Sequence, residues 1–240
     1  SGTIHIGATT PTYDIESEID CTFPTEHITR EAMDVAKVAL TGPLLQIPPL
    51  YTAIKIDGQK SYDLARRGKD VEMKARPVTI YSFDITSVKL PEIDFLVKCS
   101  KGTYIRALAR DLGNSLQVGA HVVRLQRIEV GHFSVDNALR LEQCDELSDS
   151  EMKNFDGIYA PYDALYGFGV LEVKEKSLIN IKHGKHLTAD DVVSITEKND
   201  LFRVIPEGHK VLVAIAHKEE EVYRCERVFV EEIDMLDTIL

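Results

Sequence analysis

Isoleucine alternates with polar residues in "TIHIGATT" at the start of the chain, the period-two pattern of a half-buried strand. The run opens in mid-strand, so an unpaired sheet edge is expected there. The period then lengthens: in "ITREAMDVAKVAL", Ile28, Met33, Val35, Ala36 and Ala39 recur at roughly helical spacing, with Thr29 as cap and Gly42 as stop. Pro48-Pro49 forbids a helix and imposes an extended entry. Leu50 to Ile56 then reads as a strand, Asp57-Gly58 as a turn, and Ser61 to Arg67 as a short helix closed by Gly68. "RPVTIYSFDITSVKL" and "EIDFLVKCS" alternate cleanly and predict an antiparallel pair. Within Thr103 to Gln117, Ile105, Leu108, Ala109, Leu112 and Leu116 form one apolar stripe at helical spacing. Val122 to Phe133 returns to strand.

The texture changes near residue 137. "NALRLEQCDELSDSEMKNF" predicts a helix and a polar connection, and from Gly167 to Val230 short β-like runs such as "GFGVLEV", "HKVLVAIAH" and "EVYRCERVFV" alternate with polar turns. The predicted architecture is α+β. A mixed, mostly antiparallel sheet with helices occupies residues 1–140, a connecting segment 141–166, and a small β-rich domain 167–240.

With 240 residues, 44% of them hydrophobic, the chain can bury a sizeable core. No apolar run approaches the ~20 residues of a membrane-spanning helix. "SGTIHIGATT" has no charged n-region or apolar h-region, so export is not expected. Cys21, Cys99, Cys144 and Cys225 are scattered without a C-x-x-C pair, which fits buried thiols in a reducing cytoplasm better than a metal site or disulfide framework.

Net charge is −11, which taken alone argues against a nucleic-acid partner. Its distribution changes that picture. Lys98, Lys101, Arg106, Arg110, Arg124 and Arg127 stand against the single acid Asp111 between residues 98 and 127, and Lys55 to Arg76 is a second basic island. A polyanion could dock on such islands, and a solvated surface of mixed charge would look the same.

"CSKGTYIRALARDLG" puts a tyrosine and an arginine where a β-like run hands over to a helix. Gly102 frees the bend, helix-start N–H groups can hold an anion, Tyr104 offers a stacking face and Arg106 a bidentate fork. The plainer alternative packs Tyr104 in the core and pairs Arg106 with a nearby acid, and spacing leaves both open. If the two residues serve one site, the helix should begin no earlier than about Tyr104, because residues two apart on a helix diverge.

That stretch, followed by "GAHVVRLQRIEVGHFSVDNAL" and preceded by "GPLLQIPPLYTAIKIDGQKSYDLARRGKDVEMKARPVTIY", resembles the tRNA pseudouridine-55 synthases of the TruB type from Gly42 to Leu139. "TIHIGATTPTYDIESEI" resembles the family's preceding strand and threonine-rich loop, with Asp14 kept and Pro11 and Ser17 departing from it. More weakly, "LINIKHGKHL" and "YRCERVFV" resemble the small PUA-like RNA-binding domain that ends these proteins.

The resemblance implies an isomerase that flips a uridine from the T-loop of tRNA, attacks it with an aspartate and rejoins the uracil through carbon, without metal or organic cofactor. Tyr104 would lie against the uracil, Arg106 would pair with the nucleophilic carboxylate, and Leu125 would close the apolar side of the pocket, unless it is ordinary strand core. Tyr51, Lys55, Lys60, Arg66, Arg76 and Lys101 would face RNA backbone. Tyr62 reads as core, His121 as a hydrogen-bonded structural residue, and His183, Lys185 and His186 as a solvated loop that RNA could touch.

The family's nucleophile lies in a segment like "GHTGTLDPLATG", which nothing in these 240 residues matches. By alignment it belongs ahead of Ser1, as does a second active-site tyrosine. The implied protein is a monomeric, cytoplasmic tRNA pseudouridine synthase whose 240 residues alone do not isomerise uridine. The alternative is a tRNA-binding protein that holds or remodels its partner without chemistry.

Overall fold

Ile4 and Ile6, the inward phase of the opening alternation, are fully buried in strand β1 (Gly2–Ile6). A computed structural model supplies the fold and describes residues 1–56, 58–67, 73–148, 150–151, 155 and 157–239. These residues divide into two compact units, Ser1–Asp136 and Asn137–Leu240.

The first unit is built on a five-stranded sheet. Besides β1 it contains β2 (Gly42–Gln46), β3 (Arg76–Lys89), β4 (Glu92–Cys99) and β5 (Ala120–Leu125), in the order β2-β3-β4-β1-β5, with every pairing antiparallel. Two helices complete its core. Helix α1 (Arg30–Ala39) starts at Thr29, whose Oγ1 accepts the Ala32 N–H at 3.2 Å, and it buries Met33 and Ala36. Between them lies the short helix α2 (Ser61–Arg66). Helix α3 (Ile105–Ser115) buries Leu108 and Leu112 with the sheet's Ile80, Phe83 and Phe95. Its Gly113 lies so close to the turn into β5 that a Cβ there would stand 2.3 Å from the carbonyl carbon of Gly119.

The chain's start is not a sheet edge. β1 is hydrogen-bonded on both sides, Ile4 facing Ile93 of β4 and Val122 of β5. Leu50 to Ile56 is not a strand either, apart from Lys55–Ile56, which pairs with Gln59–Lys60. The start of α2 takes the polar groups a ladder would need: Ser61 N–H donates to Ile54 O, Tyr62 N–H to Thr52 O, and the Ser61 hydroxyl to Thr52 O. The expected strand Val122 to Phe133 stops at Leu125. Beyond it Glu129–Val130 folds back on Phe133–Ser134 around Gly131, where φ is +62°. β2 was not foreseen, because Gly42, read as a helix stop, also opens a strand at φ +103°. The cysteines are unpaired but not deeply buried: Cys21 is exposed, and Cys99, Cys144 and Cys225 are half-buried.

The second unit carries helices α4 (Leu141–Glu146), α5 (Pro161–Ala164) and α6 (Leu178–Lys182) and a sheet of β6 (Gly169–Val173), β7 (Val192–Thr196), β8 (Leu201–Pro206), β9 (Ala214–Glu219) and β10 (Val222–Val228). The order is β7-β6-β8-β9-β10, with only β6 and β8 parallel. Leu171, Ile181, Phe202, Val204 and Tyr223 form its core, Phe202 and Tyr223 meeting edge to face at 5.3 Å. Arg203, 6% exposed, donates to the carbonyls of Tyr162 and Phe168 and lies 4.3 Å over the Tyr162 ring. A closing helix, α7 (Val230–Ile239), buries Ile233 and ties Asp234 to Lys182. No described helix is long and apolar enough to cross a membrane.

Candidate active site

β4 ends at Cys99, the chain turns through Lys101-Gly102 with Gly102 at φ +83°, and α3 begins at Ile105. A side chain at residue 102 would be strained by that dihedral. Tyr104 is the N-cap and keeps extended dihedrals, φ −100° and ψ 110°. Tyr104 and Arg106 therefore straddle the strand-to-helix boundary, which is the condition for the pair to share one side. Ser100 fastens the incoming end to β3: its N–H donates to Thr79 O, and its hydroxyl accepts the Thr79 N–H, 2.8 and 2.9 Å.

Gln46, at the end of β2 and 3% exposed, reaches across 58 residues of sequence to Tyr104. Its Oε1 accepts the Tyr104 N–H at 2.9 Å and its Nε2 donates to the Tyr104 carbonyl at 3.2 Å. No side chain caps α3 locally, so a distant strand holds its first residue.

Arg106 is half-buried and donates to two backbone carbonyls, Tyr51 O at 3.1 Å and Thr12 O at 3.5 Å. Among the described residues no acid forms an ion pair with it, so the plainer alternative of a nearby acid finds no support there. One turn later Arg110 repeats the device. It donates to Ile47 O at 2.9 Å and to Asp111 at 2.8 Å, and lies 5.4 Å over the Tyr13 ring. α3 thus presents two guanidinium groups to the same two segments, the threonine-rich loop and the Pro-Pro entry. Burial pushes the Asp111 carboxyl above its ordinary value, against the opposing pull of Arg110.

The loop that offers Thr12 O is stitched to β5. Tyr13 adopts φ +56°, its carbonyl accepts the Val122 N–H, and Ile15 N–H donates to Val122 O. The buried Thr10 hydroxyl donates to Asp14 O at 2.9 Å and accepts the Asp14 N–H at 3.0 Å. Asp14 serves the loop through its main chain and through Oδ1, which accepts the Glu16 N–H at 3.4 Å.

Of the other sequence candidates, Tyr51 joins Arg106 through its carbonyl. Arg76 is exposed directly across the ladder from Gln46, and Lys101 is exposed three residues before Tyr104. Leu125 is 50% exposed at the end of β5 and is not strand core. The side chains of Lys55, Lys60 and Arg66 lie outside what the structure describes. Tyr62 is only half-buried, so it is not the core residue expected. His121 is buried, donates from Nδ1 to Ala8 O and stacks on His5 at 5.1 Å, a structural arrangement. His183, Lys185 and His186 are exposed in the second unit. A surface hollow of about 330 Å³ lies beside this region, lined by β2 and β3 residues and Ser100, and includes neither Tyr104 nor Arg106.

Sequence reasoning passed over Gln46 and Thr12, and saw Arg110 only as one charge of a basic island. For Gln46 a signal existed: it takes the inward phase of "PLLQ", where a polar residue must find a partner. Arg110 sits four residues beyond Arg106 on the same helix face. Thr12 acts through its main chain, which no side-chain pattern marks.

Comparison with known proteins bears on the whole arrangement. A model of the TruB family pseudouridylate synthase (N terminal domain) matches residues 1–105, and one of the tRNA pseudouridylate synthase B C-terminal domain matches residues 106–165. A tRNA pseudouridine synthase B of Clostridium kluyveri is 34% identical over 230 residues, 95% of this chain and 76% of that protein. Those of Phocaeicola vulgatus and Bacteroides fragilis are 49% and 51% identical over 62% and 59% of this chain. The matched stretch spans 63% and 58% of the length of those two relatives. Among solved structures, a Cbf5-Nop10-Gar1 complex and an H/ACA RNP bound to a substrate RNA containing 2'-deoxyuridine align over 95% of this chain and 64% of theirs. Their TM-scores are 0.66 and 0.64 at 16% identity, a likeness of fold.

Proposed function

Since the chain belongs to the TruB family of pseudouridylate synthases, we propose that it forms the cleft and RNA-binding body of a tRNA pseudouridine synthase acting on a uridine flipped from the T-loop, position 55. The observation that carries this reading is the state of Arg106. A guanidinium has five N–H donors. Two are spent on Thr12 O and Tyr51 O, which fixes the plane of the group. Among the described residues the remaining donors meet no partner, and in this reading they hold a carboxylate bidentately and keep it ionised.

In the proposed reaction that carboxylate, an aspartate's, attacks the nucleoside and the N-glycosidic bond breaks. The uracil turns over, a C–C glycosidic bond forms as the bond to the carboxylate breaks, and the proton on the bonded ring carbon leaves while the freed ring nitrogen takes one up. Tyr104, at the mouth of α3, faces the flipped base and assists that proton's removal, with Leu125 on the apolar side. Flipping costs a few kcal/mol of stacking, which contacts to the RNA backbone offset. Tyr51, Arg76 and Lys101 supply such contacts in this reading, with Lys55, Lys60 and Arg66 on the adjoining segment. The protein acts as a cytoplasmic monomer.

The family's nucleophile segment has no match in these 240 residues, so in this reading they bind T-arm RNA on their own and do not convert it. Incubation with a T-arm hairpin carrying tritium at the uracil carbon that becomes bonded tests this. The expected result is binding that weakens with salt, with log Kd rising by about 0.7–0.9 per phosphate contact for each unit of log salt, and no tritium release. Tritium release from this chain alone would overturn the account of the carboxylate. A protein that only holds or remodels tRNA is the second reading, favoured by the same unpaired Arg106. It is distinguished by the absence of release even in a longer chain that carries the family's nucleophile segment.

A further inference from the structure

We infer that Gln46 is the positioning residue for Tyr104, setting the tyrosine ring against the flipped base through the main chain it holds. The inference rests on the reading of Tyr104 given above. Its ground is geometric. A tyrosine at an N-cap has no hydroxyl or carboxylate close enough to cap its own helix. Left alone, Tyr104 would be free to swing between extended and helical dihedrals as the first turn of α3 frayed.

Gln46 removes that freedom by binding both polar groups of the residue at once, N–H at 2.9 Å and C=O at 3.2 Å. The carbonyl it holds also accepts the Leu108 N–H at 3.0 Å, so one atom is shared between the distant strand and the first turn of the helix. With φ and ψ fixed at both ends, the Cα–Cβ bond of Tyr104 is fixed too, and with it the range of ring positions relative to Arg106 two residues on. The carboxamide is buried on a strand whose ladder places Gln46 opposite Arg76. A buried carboxamide that lost Tyr104 would be left without partners, so the pairing is favoured from both sides. A hydrophobe or an ionised carboxylate cannot replace it, since a hydrophobe offers neither group and the ionised carboxylate only accepts.

The test uses the whole chain and a T-arm hairpin carrying 5-fluorouridine at the target position, followed by fluorine NMR. In the wild-type complex the fluorine resonance should be displaced by the ring current of Tyr104, and Tyr104→Ala should abolish the displacement. Gln46→Met should abolish it as well while changing Kd by no more than about threefold, because phosphate contacts carry most of the affinity. Measured at a pH where the introduced carboxyl is ionised, Gln46→Glu keeps the acceptor for the Tyr104 N–H and loses the donor to its carbonyl. It should give a partial displacement, and it serves if Gln46→Met melts early.

A full displacement in a folded Gln46→Glu or Gln46→Met complex would overturn the inference. So would a loss of affinity of about tenfold or more in step with the lost displacement, which is the signature of general damage rather than positioning. A displacement that survives Tyr104→Ala would instead overturn the stacking role of Tyr104, whatever Gln46 does.

Discussion

His5 and His121 stack at 5.1 Å on the side of the sheet away from Ile4 and Ile6, with Glu92 across the ladder from His5. Burial holds the His5 imidazole below its ordinary value, the nearness of His121 acts the same way, and Glu92 opposes both. The folded state therefore binds this proton less readily than the unfolded chain. Its contribution to stability is fully present above the ordinary histidine value of about 6.5 and is lost as pH falls through the native value. Thermal melts between neutral and mildly acid pH should show the midpoint falling in the wild type and falling less in His5→Gln. Equal declines would show that another group governs acid sensitivity. Other residue-level facts were open to sequence reading only in part. Tyr104 and Arg106 drew notice through their chemistry, whereas Thr12 and Tyr51 meet Arg106 through carbonyls, which every residue has.

The helices were legible because burial imposes a period, and α3 shows it with Leu108 and Leu112 fully buried where the stripe placed them. Its Gly113 was not. A glycine inside a helix costs about 1 kcal/mol relative to alanine, so Gly113→Ala would be stabilising on propensity alone. Here the added Cβ would stand 2.3 Å from the Gly119 carbonyl carbon and 2.4 Å from the Ala120 nitrogen, both main-chain atoms that cannot rotate away. Packing wins. We expect Gly113→Ala to lower stability by about 1–3 kcal/mol net, read from urea unfolding, with α3 displaced from β5. A neutral or stabilising result would mean that this helix slides freely. The strands were less legible. Leu50 to Ile56 has the residues of a strand, but its carbonyls are claimed by the start of α2, and partner choice of that kind is a tertiary event. The run from Val122 was overextended because Gly131 at φ +62° folds it back.

At the scale of the molecule, each unit owns a core: Ile4, Ile80, Phe95 and Leu108 in the first, Leu171, Ile181, Phe202 and Tyr223 in the second. Residues 1–136 and 137–240 produced as separate chains should each melt cooperatively, as independent domains do. A non-cooperative melt of either piece would show that its core is incomplete. The α+β class and the β-rich second half could be read from the spacing of apolar runs. The closing helix α7 could not, since the acidic tail looks solvated until Ile233 is seen buried.

One feature of the first sheet bears on how the chain comes into being. β1 precedes both of its partners in the chain, yet Gly2 must find both Phe95 and Leu125 before its ladders are complete. A ribosome releases those partners only later, so β1 waits while the hairpin of β3 and β4 can already zip. The entropy of spanning so long a loop grows only slowly with length, about 0.6 kcal/mol per doubling, so the delay is one of timing rather than of final stability. The β4-β1-β5 side of this sheet is therefore its last part to be finished, and during translation the edge of β4 stands open for a segment that has already left the tunnel.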